Sequence, residues 1–301
     1  MRELLRVASG DAVELAAVDP RSTPGLPDRE VTGEDRKAWA RTQVELLGVG
    51  LGRQQEMLFA CAKAPAVPAV PGPAAGRRVL LVLQAMDSGG KDGTIKRVAG
   101  AMNPLGLHIR SFGPPTEQEL AHDFLWRIRR ALPAAGYVGV FNRSHYEDVL
   151  VARVDSLVPE ATWRARYDEI NAFERELADD GLTLVKVMLH ISHHEQGKRL
   201  LARLDDPRKH WKYNPGDVDA RARWNDYQAA YAEALGRCDT DAAPWFLVPA
   251  DRKWYRDWAV AHLLRETFDT LGLGYPAATF DVRRERERLL GATGPVKVNG
   301  R

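Results

Sequence analysis

The sequence predicts an α/β protein with a central parallel sheet that is covered by helices on both faces. Short, continuous apolar runs such as residues 79–83 are typical of strands buried on both faces of a sheet. Helical stripes alternate with these runs, and the connections are short, which favours parallel pairing. With 301 residues, 45% of them hydrophobic, the chain is long enough to form one sizeable core.

The same patterns predict the individual elements. Apolar runs predict strands at residues 79–83, 107–112, 137–141, 182–189 and 245–248. Apolar residues at helical spacing predict helices over residues 34–63, 91–102, 116–128, 163–177 and 253–271. A capping-box pair, Thr116 and Glu119, marks the start of the third of these helices.

We treat residues 1–301 as a single domain with two additions. The first is an N-terminal helical extension of about residues 1–76, in which residues 1–33 are rich in loops and residues 62–76 form a linker of Pro, Ala and Gly. The second is an insertion of about residues 195–235, which interrupts the strand–helix alternation and is rich in Arg and Lys. We call it the basic insertion, and its charge makes it a candidate lid.

Composition argues against several classes of protein. The formal net charge is only +2, so the overall charge does not indicate a particular class of binding partner. Cys61 and Cys238 form neither a disulfide framework nor a metal-ligand spacing. The N-terminus lacks the pattern of a signal peptide, and no apolar run approaches the roughly 18 residues that span a bilayer. We therefore expect a cytoplasmic protein with no membrane partner.

The strongest motif runs from Ala85 to Thr94, between the first predicted strand and a helix. Its glycines let backbone N–H groups converge on an anion, and the helix N-terminus adds partial positive charge. Lys91 supplies a full charge that reaches a bound phosphate. The other candidate phosphate- or nucleotide-binding residues of this loop are Ser88, Gly89, Gly90, Asp92, Gly93 and Thr94. The alternative is a glycine-rich turn that binds nothing.

This loop departs from the usual phosphate-binding consensus at two positions. Ala85 replaces the first glycine, and Asp92 replaces the serine or threonine whose hydroxyl usually contacts Mg²⁺. Asp87, within the loop, has a carboxylate that can bind magnesium instead. The alternative role of Asp87 is to stabilise the turn through its own side chain.

A second polar segment, residues 141–149, follows the third predicted strand. It therefore lies at the carboxyl edge of the sheet, where ligands bind in this architecture. Arg143 is placed to neutralise charge on a transferring phosphoryl group. The alternative is a surface salt bridge to Glu147 or Asp148. His145 is a weaker candidate, because a phosphate acceptor is largely ionised at neutral pH and needs no general base.

In the basic insertion, Arg199 and Arg203 are four residues apart and share one helix face. Together with Lys209 and Lys212 they give a cationic face that would clamp a polyanion and exclude water. The alternative is a solvated charged face. The histidines within residues 190–194 resemble a metal site, but a capping box that opens the helix is the favoured interpretation.

Four blocks of sequence resemble the polyphosphate kinase 2 family, and they follow that family's order over roughly residues 35–275. The first two are its Walker A segment, at residues 83–94, and its second signature, at residues 141–148. The third, residues 204–217, resembles the family's lid, and the fourth, residues 244–255, resembles its last strand and helix. Together the blocks are far more specific than a lone P-loop.

The resemblance implies a P-loop three-layer sandwich like that of thymidylate kinase, a helical lid and Mg²⁺ dependence. It implies that Asp87 holds magnesium, that Lys91 and Arg143 contact phosphates, and that the cations of the lid follow a polyphosphate chain. Asn142 and Glu147 join the candidate phosphate- or nucleotide-binding residues. Many members have Asp where this chain has Asn142, and this version resembles the branch that accepts both nucleoside mono- and diphosphates.

We therefore predict a Mg²⁺-dependent kinase that transfers phosphoryl groups between inorganic polyphosphate and AMP or ADP, forming ADP or ATP. Phosphoryl transfer needs alignment and cations more than covalent chemistry from the protein, and the sequence offers those parts. The alternative on the same fold is an ATP-dependent nucleoside monophosphate kinase. A P-loop nucleic-acid-binding protein is less favoured, because the cations cluster in one short insertion without an aromatic stacking motif. We expect a homo-oligomer without a nucleic-acid partner.

Overall fold

The computed structural model describes residues 1–7, 13–63 and 76–293. Five parallel strands form one sheet in the order β2-β3-β1-β4-β5. The strands are β1 (Arg78–Gln84), β2 (Leu107–Ser111), β3 (Val138–Asn142), β4 (Leu182–His190) and β5 (Trp245–Pro249). All the predicted strands are confirmed to within one residue at each end.

Helices connect and cover the strands. Before β1 they are α1 (Arg2–Leu5), α2 (Arg29–Thr32) and α3 (Arg36–Lys63). Between β1 and β4 they are α4 (Lys91–Arg97), α5 (Glu117–Leu120), α6 (Trp126–Arg129), α7 (Glu147–Val154) and α8 (Glu160–Asp179). After β4 they are α9 (His193–Leu204), α10 (Gly216–Ala222), α11 (Trp224–Cys238), α12 (Lys253–Thr270) and α13 (Val282–Thr293). Among the described residues, no helix is long and apolar enough to cross a membrane.

Side chains of β1 alternate between two helical layers. Leu81 and Leu83 belong to a buried cluster that includes residues of α3 and α12. Leu80 and Val82 point to the other face and belong to a cluster that includes residues of α6 and α8. Because the central strand is buried on both faces, it carries a continuous apolar run. The predicted three-layer arrangement around a parallel sheet is confirmed.

Helix α3 is continuous although Gly48 and Gly52 lie in its middle. A Cβ atom at Gly48 would lie 2.8 Å from the Cβ of Ala101, and one at Gly52 would lie 3.3 Å from the Ala101 carbonyl oxygen. The glycines therefore let α3 approach the 3₁₀ turn at residues 99–101 closely. Their lower helix propensity, about 1 kcal/mol each relative to alanine, is offset by this packing.

Two of the helix predictions need correction. The helix predicted over 116–128 is two short helices, because the Asp123 side chain accepts a hydrogen bond from the Leu125 backbone and forms a turn between them. The capping box at Thr116 is confirmed. The helix predicted over 91–102 ends at Arg97. Most of the predicted linker, residues 64–75, lies outside the described residues.

The N-terminal segment crosses the open edge of the sheet beside β5. The backbone N–H of Val7 donates to the Trp245 carbonyl at 3.0 Å, and the backbone N–H of Asp251 donates to the Pro20 carbonyl at 3.1 Å. The side-chain hydroxyl of Tyr255 donates to the Pro24 carbonyl at 2.7 Å. These contacts cover an edge strand that would otherwise expose unpaired backbone groups.

A fully buried ion pair lies beneath the segment that follows β3. The ammonium of Lys186 lies 2.5 Å from the carboxylate of Glu174, and neither side chain is exposed to solvent. The Tyr146 hydroxyl donates to Glu174 at 2.9 Å, and His145 Nε2 lies 3.2 Å from it. Burial alone would raise the pKa of Glu174, but the Lys186 charge and the His145 hydrogen bond outweigh burial and lower it. His145 thus has a structural partner 29 residues along the chain.

We predict that breaking this ion pair destabilises the fold. Glu174→Gln leaves the Lys186 ammonium buried without its counter-charge, which costs about 3–5 kcal/mol of unfolding free energy. The double variant Glu174→Gln/Lys186→Met removes both charges and should recover much of the loss. Urea unfolding followed by circular dichroism measures both. A single variant that unfolds at the wild-type urea concentration would contradict the prediction.

Candidate active site

The glycine-rich loop between β1 and α4, residues 85–91, forms a concave turn that we call the P-loop. Ser88 and Gly90 have positive φ angles of 61° and 112°, which turn the backbone at those positions. A Cβ atom at Gly90 would lie only 1.8 Å from Nη1 of Arg256. Glycine is therefore required here both by conformation and by the close approach of a cation.

Lys91 is the first residue of α4, and its side chain contacts the backbone of the P-loop. Its Nζ donates to the Ala85 carbonyl at 2.8 Å, and the side chain is buried. Burial, and next the positive charge of Arg143, lower the pKa of Lys91 to about 8. A bound phosphate would favour the charged form of Lys91, because its negative charge would offset both the desolvation and the repulsion from Arg143.

Arg143 follows β3 with a positive φ of 64°. Its backbone N–H donates to the Leu83 carbonyl at 3.0 Å, which ties the turn to β1. Its guanidinium contacts Asp87 and donates to Glu147 at 2.7 Å. The Glu147 charge, with Asp87, raises the pKa of Arg143. The salt bridge that the sequence offered as an alternative is therefore present, and it lies inside the site beside the P-loop.

Asp87 is the residue best placed to hold Mg²⁺. Its carboxylate is 23% exposed, and only one of its two oxygens is engaged by Arg143. Among residues 1–7, 13–63 and 76–293, no group of three or more His, Cys, Asp or Glu side chains could hold a metal ion. A single carboxylate such as that of Asp87 suits Mg²⁺, which takes one or two carboxylates and completes its shell with water and substrate phosphates.

Asp92 occupies the position of the usual hydroxyl residue and links three parts of the site. Its Oδ1 accepts a hydrogen bond from the Asn142 amide at 2.9 Å. Its Oδ2 lies 3.7 Å from Nζ of Lys212 in the basic insertion. With an aspartate in place of Asn142 this contact would become a repulsion between two carboxylates. The neutral amide is therefore matched to Asp92.

A cavity of about 650 Å³ lies between the P-loop, the end of β3, the basic insertion and the start of α12. Most of the residues predicted from the sequence line it together, namely Asp87, Ser88, Gly89, Gly90, Lys91, Asp92, Gly93, Asn142, Arg143, Arg199, Arg203, Lys209 and Lys212. Two others do not. Thr94 is buried, with its hydroxyl donating to the Gly90 carbonyl at 3.3 Å, and Glu147 pairs with Arg143.

Arg199 lines the cavity, but its guanidinium is engaged within the protein. Nη1 donates to the carbonyls of Ser88 and Gly89 in the P-loop, at 3.0 and 3.2 Å. Nη2 donates to the carbonyls of residues 250–251 after β5, and Nε donates to Glu195 at 2.8 Å. All the N–H donors of an arginine are thereby used. In this conformation Arg199 supports the loop and has no donor left for the polyphosphate contact that the sequence suggested.

The other predicted cations of the basic insertion also have partners. Arg203 donates to Asp217 at 3.0 Å, and Lys209 lies 3.0 Å from Asp206. Each pair is partly exposed to solvent, so its net contribution to stability is small. Ser192 caps α9 by accepting a hydrogen bond from the Glu195 backbone, which is one half of the predicted capping box. The other half is not formed, because the Ser192 backbone N–H donates to Asp251 at 2.8 Å and not to Glu195.

Arg256 is a site residue that the sequence reasoning missed. It lies one turn inside α12, is only 2% exposed, and lines the cavity beside the P-loop glycines. Nε and Nη2 donate to Asp257, which compensates part of its charge. The available signal was its position three residues after Lys253, which puts both cations on one face of the helix.

This arrangement concentrates positive charge around a backbone nest at the carboxyl edge of a parallel sheet, which suits phosphate groups. Comparison with known proteins identifies the family, because the sequence model of the polyphosphate kinase 2 family matches residues 72–271. The chain belongs to that family. The predicted family is confirmed.

Two relatives and one solved structure match nearly the whole chain. The AMP/ADP-polyphosphate phosphotransferase of Meiothermus ruber is 45% identical over 271 residues, which are 90% of this chain and 94% of the relative. The ADP-polyphosphate phosphotransferase of Rhodopseudomonas palustris is 38% identical over 301 residues, 95% of this chain and 97% of the relative. The crystal structure of polyphosphate kinase 2 from Arthrobacter aurescens TC1 superposes with a TM-score of 0.84 at 47% identity and covers 96% of each chain.

The pKa of Lys91 gives a prediction for anion binding by this protein. The ammonium is charged below about pH 8 and loses its proton above it, so affinity for tripolyphosphate should fall as the pH rises through about 8. Calorimetric titration from neutral to alkaline pH measures this. Lys91→Met, which keeps the length without the charge, should bind weakly at every pH. The same fall in affinity in both proteins would show that another group is responsible.

A second prediction separates charge from geometry at Arg199. Lysine keeps the charge but offers a single nitrogen, so it cannot reach the acceptors in the P-loop and after β5 together. Arg199→Lys should therefore lose roughly tenfold or more in tripolyphosphate affinity, nearly as much as Arg199→Ala. Arg203→Lys is the matched control and should lose less. Near wild-type affinity in Arg199→Lys would mean that only the charge matters.

Proposed function

We propose that the protein transfers phosphoryl groups between inorganic polyphosphate and adenine nucleotides, converting AMP to ADP and ADP to ATP. The observation that carries this proposal is the single cavity in which the P-loop, Arg143 and the cations of the basic insertion meet. A cavity with cations on several walls suits two polyanionic substrates that must approach each other. Membership of the polyphosphate kinase 2 family supports polyphosphate as one of them.

The reaction exchanges one phosphoric anhydride for another. An oxygen of the terminal phosphate of AMP or ADP attacks the terminal phosphorus of the chain, and the bond to the bridging oxygen breaks. The nucleotide gains one phosphoryl group, and the chain leaves one phosphate shorter with the bond's electron pair on its new terminal oxygen. The attacking phosphate is already largely ionised at neutral pH, so no general base is required.

Positioning and charge compensation are then the tasks of the protein. The backbone N–H groups of the P-loop and the Lys91 ammonium would hold the terminal phosphate of the donor. Arg143, which follows β3 beside Lys91, would neutralise charge on the group in transfer. Its guanidinium is already oriented by Asp87 and Glu147, which supports this role.

Mg²⁺ is part of the proposal, with Asp87 as its protein ligand. When bound, the ion would neutralise phosphate oxygens and help to align the two substrates. The partly free carboxylate of Asp87 at the cavity wall supports this assignment. Asp87 would then exchange its contact with Arg143 for the ion, which would release the guanidinium toward the phosphates.

We also propose that the domain is single and that part of the basic insertion acts as its lid. Gln196 donates to the Asp87 carbonyl at 3.1 Å and Arg199 holds the P-loop, so the first turns of α9 belong to the scaffold. Beyond Leu204, the contact that reaches the P-loop side of the cavity is longer and more exposed, with Nζ of Lys212 3.7 Å from Asp92. The moving part would therefore begin after α9, and its closure would exclude water.

One pocket would serve both acceptors. The M. ruber relative is named for AMP and ADP, and the R. palustris relative for ADP alone. The donor is a repeating chain, so its register in the P-loop can slide by one phosphate and meet a shorter acceptor in line. Asn142 adds no negative charge against the extra phosphate of ADP.

The decisive experiment follows nucleotides over time. With AMP, Mg²⁺ and excess polyphosphate, ADP should rise first and ATP later, whereas ADP as the only acceptor should give ATP without a lag. Lys91→Ala should abolish both conversions and keep the circular dichroism spectrum. If ADP reacts while AMP stays untouched at millimolar concentration, the single-pocket proposal is wrong and the enzyme is a diphosphate kinase. Reaction with ATP as the donor for AMP, without polyphosphate, would instead indicate an ATP-dependent nucleoside monophosphate kinase.

A further inference from the structure

Gln84 is the last residue of β1, directly before the P-loop, and its side chain is completely buried. Strand β1 lies at the centre of the sheet, with β3 on one side and β4 on the other. A buried amide is unfavourable unless both its oxygen and its nitrogen have hydrogen-bond partners. The partners of Gln84 are found in the segment that follows β3, which carries Arg143.

Gln84 holds this segment at two points. In the orientation of the amide that gives both of its polar atoms a partner, the oxygen accepts from the Ser144 hydroxyl at 3.0 Å and from the Ser144 backbone N–H at 3.1 Å. The amide nitrogen donates to Oε1 of Glu147 at 3.0 Å. One side chain of β1 thereby restrains both the backbone of the turn after β3 and a carboxylate beyond it.

Glu147 extends this restraint to Arg143. Its Oε2 accepts from Nη1 of Arg143 at 2.7 Å, so one oxygen of the carboxylate faces Gln84 and the other faces the guanidinium. Arg143 lines the cavity, whereas the Glu147 side chain does not and is only 13% exposed. Glu147 therefore supports Arg143 from behind, and Gln84 fixes the orientation of Glu147.

The backbone of Arg143 also needs support. Its φ angle of 64° lies in the left-handed region, which is unfavourable for a residue with a side chain. The Arg143 N–H donates to the Leu83 carbonyl at 3.0 Å, and the next N–H, that of Ser144, donates to Gln84. Two consecutive residues of β1 thus hold two consecutive N–H groups of the turn. An unfavourable conformation that is held in this way sets the direction of the Arg143 side chain.

An uncharged donor suits position 84. A carboxylate there would lie about 3 Å from Glu147 and repel it, and a cation would compete with Arg143 for the same carboxylate. The amide of glutamine donates a hydrogen bond without a net charge. Glu147 therefore keeps its full charge for Arg143, and this charge is the largest cause of the raised pKa of Arg143.

We propose that Gln84 is a positioning residue for the transfer step, which orients Arg143 through Glu147 and through the backbone of the turn. The proposal rests on the proposed function, in which Arg143 neutralises charge on the phosphoryl group in transfer. That charge is greatest in the transition state, so the orientation of the guanidinium affects the rate of transfer more than substrate binding. Gln84 itself touches neither substrate, because it is buried and does not line the cavity.

The first test replaces the amide with an apolar side chain of similar length. Gln84→Met removes both hydrogen-bonding groups, so kcat for transfer from polyphosphate to ADP should fall roughly tenfold, while the KM of each substrate changes less than about twofold. Gln55→Met is the matched control. Gln55 is a glutamine of α3 that is 1% exposed, accepts from the Asn103 backbone at 3.2 Å and does not line the cavity.

The control should lower the unfolding temperature and leave kcat unchanged. The same fall in kcat in both variants would show that any buried glutamine matters in this way, and it would overturn the positioning role. A higher KM with an unchanged kcat in Gln84→Met would overturn it as well, because it would place the effect in substrate binding.

Gln84→Glu tests the hydrogen bond to Glu147 with almost no change of shape. The introduced carboxyl donates to Glu147 when protonated and repels it when ionised, and burial and the Glu147 charge both raise its pKa. The ratio of kcat in the variant to kcat in the wild type should therefore fall as the pH rises. The other charged or titratable groups that act on Glu147, or on which it acts, are shared by both proteins, namely Arg143, Lys91, Asp148, Tyr227 and Tyr231. A constant ratio from about pH 5 to pH 9 would overturn the proposal.

Combining variants tests the route through Arg143. Once Arg143→Ala has removed the guanidinium, Gln84→Met should lower kcat further by less than about twofold. Fully additive losses would show that Gln84 acts elsewhere and would overturn the proposal. The proposed function fails separately, by the absence of nucleotide phosphorylation with polyphosphate in the wild type, and in that case the positioning role fails with it.

Discussion

The site depends on the five hydrogen bonds of Arg199, which connect the P-loop to the end of β5 and to α9. A loop that presents its N–H groups to an anion leaves its carbonyls on the other side, and buried carbonyls need donors. Arg199 supplies donors to Ser88 and Gly89 and, with the same guanidinium, to the carbonyls of residues 250–251. Three separate parts of the chain are thereby fixed relative to one another. The position of α12, and with it of Arg256, follows from the same connection.

This constraint explains why prediction from the sequence worked best for local features. The strands and the P-loop depend on neighbouring residues, so apolar runs and the glycine pattern around Lys91 were sufficient. The role of Arg199 depends on carbonyls far away in the sequence, and spacing along one helix cannot reveal them. Arg256 was missed for a related reason, since α12 also carries core residues and the spacing from Lys253 alone does not show that the guanidinium lies against the P-loop glycines. The glycines of α3 likewise weakened a helix pattern although they serve packing against Ala101.

Most of the cations around the cavity have partners within the protein. Asp87 and Glu147 hold Arg143, and the Ala85 carbonyl accepts from Lys91. Each of these partners binds a cation less strongly than a phosphate dianion does, or could itself bind Mg²⁺. Binding then replaces internal contacts with contacts to the substrates, so the site needs little rearrangement of its backbone. Burial, and next the positive charge of Arg143, lower the pKa of Lys91, and a bound phosphate would offset both effects.

Because the carboxylate partners of the cations are unevenly distributed, the two sides of the cavity also differ in charge. Long-range attraction of a polyanion is strongest where positive charge is least neutralised. Among the described residues that line the cavity, Lys198 and Lys253 have no carboxylate at ion-pair distance. A chain attracted there meets Arg256 next, and Arg256 lies against the P-loop glycines. The end of a polyphosphate chain would thus be led toward Lys91, the proposed ligand of its terminal phosphate. The carboxylates of Asp87 and Asp92 would repel a second polyphosphate chain at the other wall, which agrees with the proposal that an acceptor with Mg²⁺ binds on that side.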